Sequence, residues 1–156
     1  MKNNYFESKF LMRKVENSRP MAVAEIFGGE KYPDIRGEVD FYQIGNGVVV
    51  VCVLHGLPQT KTNIFAFHIH ENGECEGDFS SAGGHFGEGE HPNHAGDMPV
   101  LLSSGGDAFL AFFTNRFTLD DIVGRSVIVH ALPDDFFTQP SGNSGERIAC
   151  GLIEKQ

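Results

Sequence analysis

The chain has no tryptophan and only three cysteines, and it is short of positive charge: 12 lysines and arginines face 21 aspartates and glutamates, a formal net charge of −9 at pH 7. That deficit argues against a nucleic-acid or anionic-membrane partner, because either needs a basic surface to displace counterions or meet anionic lipid. The charge is unevenly spread. Residues 1–20 hold Lys2, Lys9, Arg13, Lys14 and Arg19 against Glu7 and Glu16, which leaves the remainder at −12. The first 20 residues also lack a long apolar run. The longest there is Phe10-Leu11-Met12, short of the roughly 7–15 apolar residues of an export signal. No transmembrane span is read, and the cytoplasm is the expected compartment. The three cysteines, Cys52, Cys75 and Cys150, allow at most one internal disulfide and exclude a disulfide-rich framework.

What is present points to an all-β fold. Within 156 residues, 40% apolar, one domain can bury a single core. Nineteen glycines, seven prolines and fourteen phenylalanines suit short strands joined by tight turns. Residues 1–20 read as a basic extension and residues 21–156 as the folded body. Within the body, strands are predicted over Met21 to Phe27, Glu38 to Tyr42, Val48 to Leu54, Ile64 to His70, Val100 to Leu102, Ala108 to Thr114, Ser126 to His130 and through Ile148 to Leu152. Gly45-Asn46-Gly47 marks a hairpin turn, and Thr118 to Asp121 starts one helical turn. Cys52 reads as a small buried hydrophobe in a core strand and His55 as a turn or surface residue. The stretch 71–99, rich in Gly, Glu, Asp, Asn and His, is too long for an idle connection, and Ala131 to Glu146 is a second irregular segment.

Six of the seven histidines fall between positions 68 and 130: His68-x-His70, His85, His91-x-x-His94 with Asp97 three residues on, and His130. On a strand, residues i and i+2 share a face, so His68 and His70 can chelate one ion from a rigid base. Imidazoles alone suit copper or zinc, and imidazoles with one carboxylate, as in His91, His94 and Asp97, suit four-coordinate zinc.

Five motifs then occur in order: Phe67-His68-Ile69-His70-Glu71, Ser81-Ala82-Gly83-Gly84-His85-Phe86, His94-Ala95-Gly96-Asp97-Met98-Pro99, Gly124-Arg125-Ser126-Val127-Ile128-Val129-His130 and Gly145-Glu146-Arg147-Ile148-Ala149-Cys150-Gly151. Over about residues 21–154 the chain resembles a bacterial-type Cu,Zn superoxide dismutase. The resemblance implies a Greek-key β-barrel, immunoglobulin-like in its sandwich architecture, with two long functional loops. It implies copper on His68, His70, His85 and His130, zinc on His85, His91, His94 and Asp97, and His85 shared as a bridging imidazolate. It also implies that Arg147 attracts superoxide, that Cys75 pairs with Cys150, and that Asp134, or its neighbour Asp135, hydrogen-bonds ligands of both metals. The implied activity is disproportionation of superoxide, and a homodimer is a candidate assembly. A non-enzymatic copper or zinc binder of the same fold is the alternative; loss of a copper histidine or the arginine would favour it, and all are present. Two departures stand out: only two residues separate His91 from His94, fewer than in the family's zinc loop, and the loop Ala131 to Glu146 is short and has no lysine.

Overall fold

The computed structural model describes residues 8–156, with side chains described from residue 12 onward. After α1 (Ser8–Glu16) come β1 (Ala22–Gly28), β2 (Arg36–Ile44), β3 (Gly47–His55), β4 (Ile64–Phe65), β5 (Phe67–His70), a 3-10 turn (Ser80–Ala82), β6 (Leu101–Ser104), β7 (Asp107–Thr114), α2 (Leu119–Ile122), β8 (Ser126–His130) and β9 (Arg147–Lys155). The strands form one antiparallel sheet in the order β4-β6-β7-β3-β2-β1-β9-β8-β5. Because β4 and β5 are consecutive pieces of chain at opposite edges, the sheet curls into a nearly closed barrel. All-β architecture is thereby borne out.

Turn chemistry fixes the hairpins. Ile44 pairs with Gly47 across Gly45-Asn46, and Ser104 with Asp107 across Gly105-Gly106. Gly45, Gly105 and Gly106 take positive φ, as two-residue turns between right-twisted strands require. Alternation then fixes the faces. In β3, Val48, Val50, Cys52 and Leu54 point into the core, where they join Val39 and Phe41 of β2 and Phe65 and Phe67 of the split strand. Cys52 is buried and free, as expected of a small core hydrophobe. Thr118 opens α2 through a reciprocal capping box with Asp121.

Two elements differ from the sequence-based expectation. Residues 8–16 form a helix, and its Val15 packs on Tyr42, Ile44 and Val49 outside the barrel. The predicted strand Ile64 to His70 breaks at Ala66, whose N–H donates to the Leu132 carbonyl and whose own carbonyl accepts from His130 N–H. That break turns the chain from one sheet edge to the other. Among the described residues no helix is long and apolar enough to cross a membrane.

The histidine side of β5 is also buried, because the segment after it folds back over it. Ile69 N–H donates to the Gly96 carbonyl, Phe86 N–H donates to the Ile69 carbonyl, and bridges pair His68 with Asp97 and His70 with His85.

Candidate metal centre

Three pieces of chain meet over one end of the barrel. Strand β5 supplies His68 and His70, and β8, paired beside it through His68↔Ile128, ends in His130. An irregularity between Val129 and His130 shifts the register against β9 and sets His130 opposite Arg147. The folded-back segment brings His85, His91, His94 and Asp97. Cys75 is bonded to Cys150 with Cα atoms 5.7 Å apart, which ties the start of this segment to β9.

The result is two donor groups, His68/His70/His85/His130 and His85/His91/His94/Asp97, each with one atom per residue lying within 4.8 Å of the others. His85 belongs to both. Every residue singled out for metal binding thus falls in one of these two groups. His55 lies apart from them, exposed at the end of β3 and 2.7 Å from Asp107.

Hydrogen bonds on the far side of four of the rings set their tautomers, since a carboxylate or carbonyl oxygen brings no proton of its own. His68 Nε2 donates to Asp134 Oδ2 at 2.6 Å and His91 Nε2 to Asp134 Oδ1 at 2.7 Å. His70 Nδ1 donates to the Gly83 carbonyl at 3.0 Å and His130 Nδ1 to the Gly145 carbonyl at 3.3 Å. The opposite nitrogens are left as bare lone pairs facing inward. His68 Nδ1, His85 Nε2 and His91 Nδ1 are buried without a partner, and His70 Nε2 stands 3.2 Å from His130 Nε2. His91 Nδ1 comes within 3.2 Å of Asp97 Oδ2 without hydrogen-bond geometry. A buried, unpaired polar atom costs roughly 1–3 kcal/mol. Several such atoms converging on two points fit a pair of cations.

Charge in the site follows from the same contacts. Burial, and then the neighbouring His130, push the His70 imidazole well below its ordinary value. Burial and nearby histidines lower His130 to about 3. Burial works to raise Asp97, but the hydrogen bond from His85 and the adjacent histidines outweigh it and hold the carboxyl at about 2. Asp134 is lowered in the same way: burial opposes, and bonds from His68, Phe136 N–H and His91 prevail. His70 and His130 therefore rest neutral and the two carboxylates anionic, the states in which such groups coordinate metals.

Asp134, not Asp135, spans the two groups. Asp135 instead accepts from Phe137 N–H, Thr138 N–H and the Thr138 hydroxyl, holding its own turn. Gly142 explains how Asp134 and His91 come so close to the returning chain, because a Cβ there would meet the Asp134 carboxylate and stand 2.7 Å from His91 Nε2. Arg147 donates to the Phe79 and Gly83 carbonyls, both at 2.6 Å. Its charge contributes to lowering both His70 and His130.

Sequence reasoning did not find the Gly83 and Gly145 carbonyls that orient two rings, since a backbone acceptor leaves no mark in residue type. It also missed Lys31, whose Nζ lies 2.7 Å from Glu146 Oε1. Lys31 and Glu146 line, with Asp78, Phe79 and Arg147, a cleft of about 150 Å³.

The family model described as copper/zinc superoxide dismutase matches residues 35–153. The chain belongs to the copper/zinc superoxide dismutase family. It is 34% identical over 139 residues to Superoxide dismutase [Cu-Zn] 2 of Aquifex aeolicus, covering 77% of this chain and 80% of that one. Superoxide dismutase [Cu-Zn] of Legionella pneumophila is 33% identical over 141 residues, 84% of this chain and 85% of that one. Among solved structures, a double mutant of a SOD-like protein from Bacillus subtilis superposes with a TM-score of 0.74 at 30% identity, covering 85% of this chain and 96% of that one. The two donor groups are of the kind that copper and zinc in this family require, one all-imidazole and one completed by a carboxylate.

Proposed function

We propose that this chain is a superoxide dismutase that holds copper through His68 Nδ1, His70 Nε2, His85 Nε2 and His130 Nε2, and zinc through His85 Nδ1, His91 Nδ1, His94 Nδ1 and Asp97. The observation that carries this is His85, whose Nδ1 lies 2.7 Å from Asp97 Oδ1 while its Nε2 is buried and partnerless on the all-histidine side. One ring thus serves both groups. When bound, copper supplies the one-electron chemistry by which one superoxide is oxidised to oxygen and a second, taking up two protons, is reduced to hydrogen peroxide.

The protein's part is positional and electrostatic. Asp134 and the Gly83 and Gly145 carbonyls hold the rings in one tautomer and orientation. Arg147 places a fixed positive charge beside the all-histidine group and attracts the anionic substrate. When not bound to copper, His85 Nε2 would be the atom at which the chain can hold a proton for the departing peroxide. A metal-binding protein without turnover is disfavoured because the full histidine set and Arg147 are in place together. Reconstitution with both metals, followed by superoxide decay measurements on the native protein and on His130→Ala, tests the assignment. Activity should vanish in the variant while the fold stays intact.

We also take residues 21–156 as the dismutase domain and residues 1–20 as a basic extension; a chain starting at Met21 should keep its activity. For a homodimer, the exposed Leu102 and Phe109 on the β6–β7 hairpin offer an apolar face, and the solution mass against the 17.1 kDa chain tests pairing.

A further inference from the structure

The zinc group has a weak point in the chain that carries it. His91 and His94 lie in a stretch without helix or strand, with Gly87 and Gly89 at positive φ just before them. Only two residues separate the histidines, and the backbone support there is a single tight turn around His91 and Pro92, closed by Asn93 N–H on the Glu90 carbonyl at 2.8 Å. One turn fixes little of the His91 ring's position, and further support comes from outside the stretch.

Two side chains from other elements do the holding. Gln139, in the loop between β8 and β9, brackets the backbone of His91. His91 N–H donates to Gln139 Oε1 at 3.0 Å, and Gln139 Nε2 donates to the His91 carbonyl at 2.7 Å. A carboxamide has one acceptor and one donor end, so it closes a ring with one residue's N–H and C=O as a neighbouring strand would. From the other side, Arg116 Nη1 donates to the Pro92 carbonyl at 2.9 Å and lies 3.4 Å from the His94 carbonyl. The same β8–β9 loop supplies Asp134, which fixes the His91 ring. Ring and backbone of His91 are therefore both set by one loop.

Resting on the copper and zinc assignment above, we propose that Gln139 is a positioning residue for zinc, and that its bracket on His91 stands in for the length this loop lacks. Gln139 touches no metal; it acts through His91, keeping Nδ1 turned toward His85, His94 and Asp97. Arg116 supports the same stretch at the next turn. Outer partners of metal ligands commonly change affinity by about 10- to 100-fold when removed, and the bracket belongs in that range. It is specific to the zinc half, because Gln139 makes no hydrogen bond to His68, His70 or His130.

The test is a zinc titration of the metal-free protein against a chromophoric chelator, for the native chain, Gln139→Leu and Gln139→Glu. Both replacements keep the bulk. Leucine removes both hydrogen bonds, and glutamate turns the donor end into a second acceptor facing the His91 carbonyl. Zinc affinity should fall about tenfold or more in Gln139→Leu and clearly in Gln139→Glu, while copper affinity and the metal-free thermal midpoint stay near native. Cobalt(II) in the zinc site should show a weakened tetrahedral visible band in both variants. Unchanged zinc affinity in Gln139→Leu overturns the proposal. So does an equal loss of zinc and copper together with a lowered metal-free midpoint, which would assign Gln139 a general structural role. A native protein that binds no zinc at all would overturn the copper and zinc assignment itself.

Discussion

Arg147 and His70 meet on one oxygen: Arg147 Nη2 donates to the Gly83 carbonyl at 2.6 Å, and His70 Nδ1 donates to the same atom at 3.0 Å. The contact couples the charge proposed to attract substrate to a ring of the all-histidine group. Arg147→Ala should lower the rate of superoxide decay at low salt by about tenfold or more, since a unit charge about 5 Å away is worth roughly 3 kcal/mol at an effective dielectric of about 20. Arg147→Lys should recover only part of it, because an ammonium lacks the planar fork that reaches both carbonyls. Copper content should be unchanged in both, and equal rates for native and Arg147→Ala would remove Arg147 from the mechanism.

Lys31 bears on the same step. The loop Ala131 to Glu146 has no lysine, but the β1–β2 loop lends one: Lys31 Nζ pairs with Glu146 Oε1, and the Tyr32 hydroxyl donates to Oε2. The pair lowers Glu146 and raises Lys31 from their ordinary values, so both stay charged and offset each other beside Arg147. Lys31→Ala should slow the reaction about two- to fivefold at low ionic strength, with the difference vanishing near 1 M salt, where screening acts over about 3 Å. The double variant Lys31→Ala/Glu146→Gln should return toward native. A loss of rate that persists in the double variant at low salt would contradict this balance.

Much of the site was legible in the sequence, and the reason is periodicity. His68 and His70 share a strand face, and the five ordered motifs contain His85, His94, His130, Asp97, Arg147 and Cys150, while His91 and Cys75 lie outside them and the pairing of Cys75 followed only from the family resemblance. Most strands were found within two or three residues because their apolar alternation and their glycine turns agree. What escaped depends on contacts distant in sequence. The break at Ala66 exists because Leu132 and His130 offer it partners, and Gln139 matters only because the β8–β9 loop folds against His91. The α1 helix was not predicted because its apolar residues, Phe10-Leu11-Met12 and Val15, form one short stretch beside a cluster of basic residues, and its docking through Val15 on Tyr42, Ile44 and Val49 appears only in three dimensions.

The metal-free protein should lose stability in acid. His130 is lowered to about 3 and His70 is lowered further by burial, whereas unfolded histidines titrate near 6.5. Between those values the unfolded chain binds protons that the folded chain refuses, so unfolding is favoured as pH falls. Each ring should contribute a slope of about 1.4 kcal/mol per pH unit below 6.5. Urea midpoints of chelator-treated protein should drop steadily from pH 7 to pH 4. A flat profile would mean that these rings are not held neutral.

The disulfide spans 75 residues, and on the chain-entropy model its closure contributes about 4 kcal/mol, with measured gains often smaller. Reduction should lower the unfolding midpoint and, by releasing the segment that carries His85, weaken metal retention. Non-reducing peptide mapping should recover Cys75 with Cys150 and leave Cys52 free, its thiol pushed up to about 12 by burial and correspondingly unreactive. A bridge involving Cys52 would contradict the placement of β3.

The most direct measurement is the decay of a superoxide pulse in the presence of protein whose metal content has been determined on the same sample. With one copper and one zinc per chain, decay should be catalytic and first order in protein, and it should disappear when the ions are stripped and return when they are restored. A chain that carries both metals in that ratio, yet leaves superoxide to decay as it does in buffer, would contradict the assignment of dismutase activity.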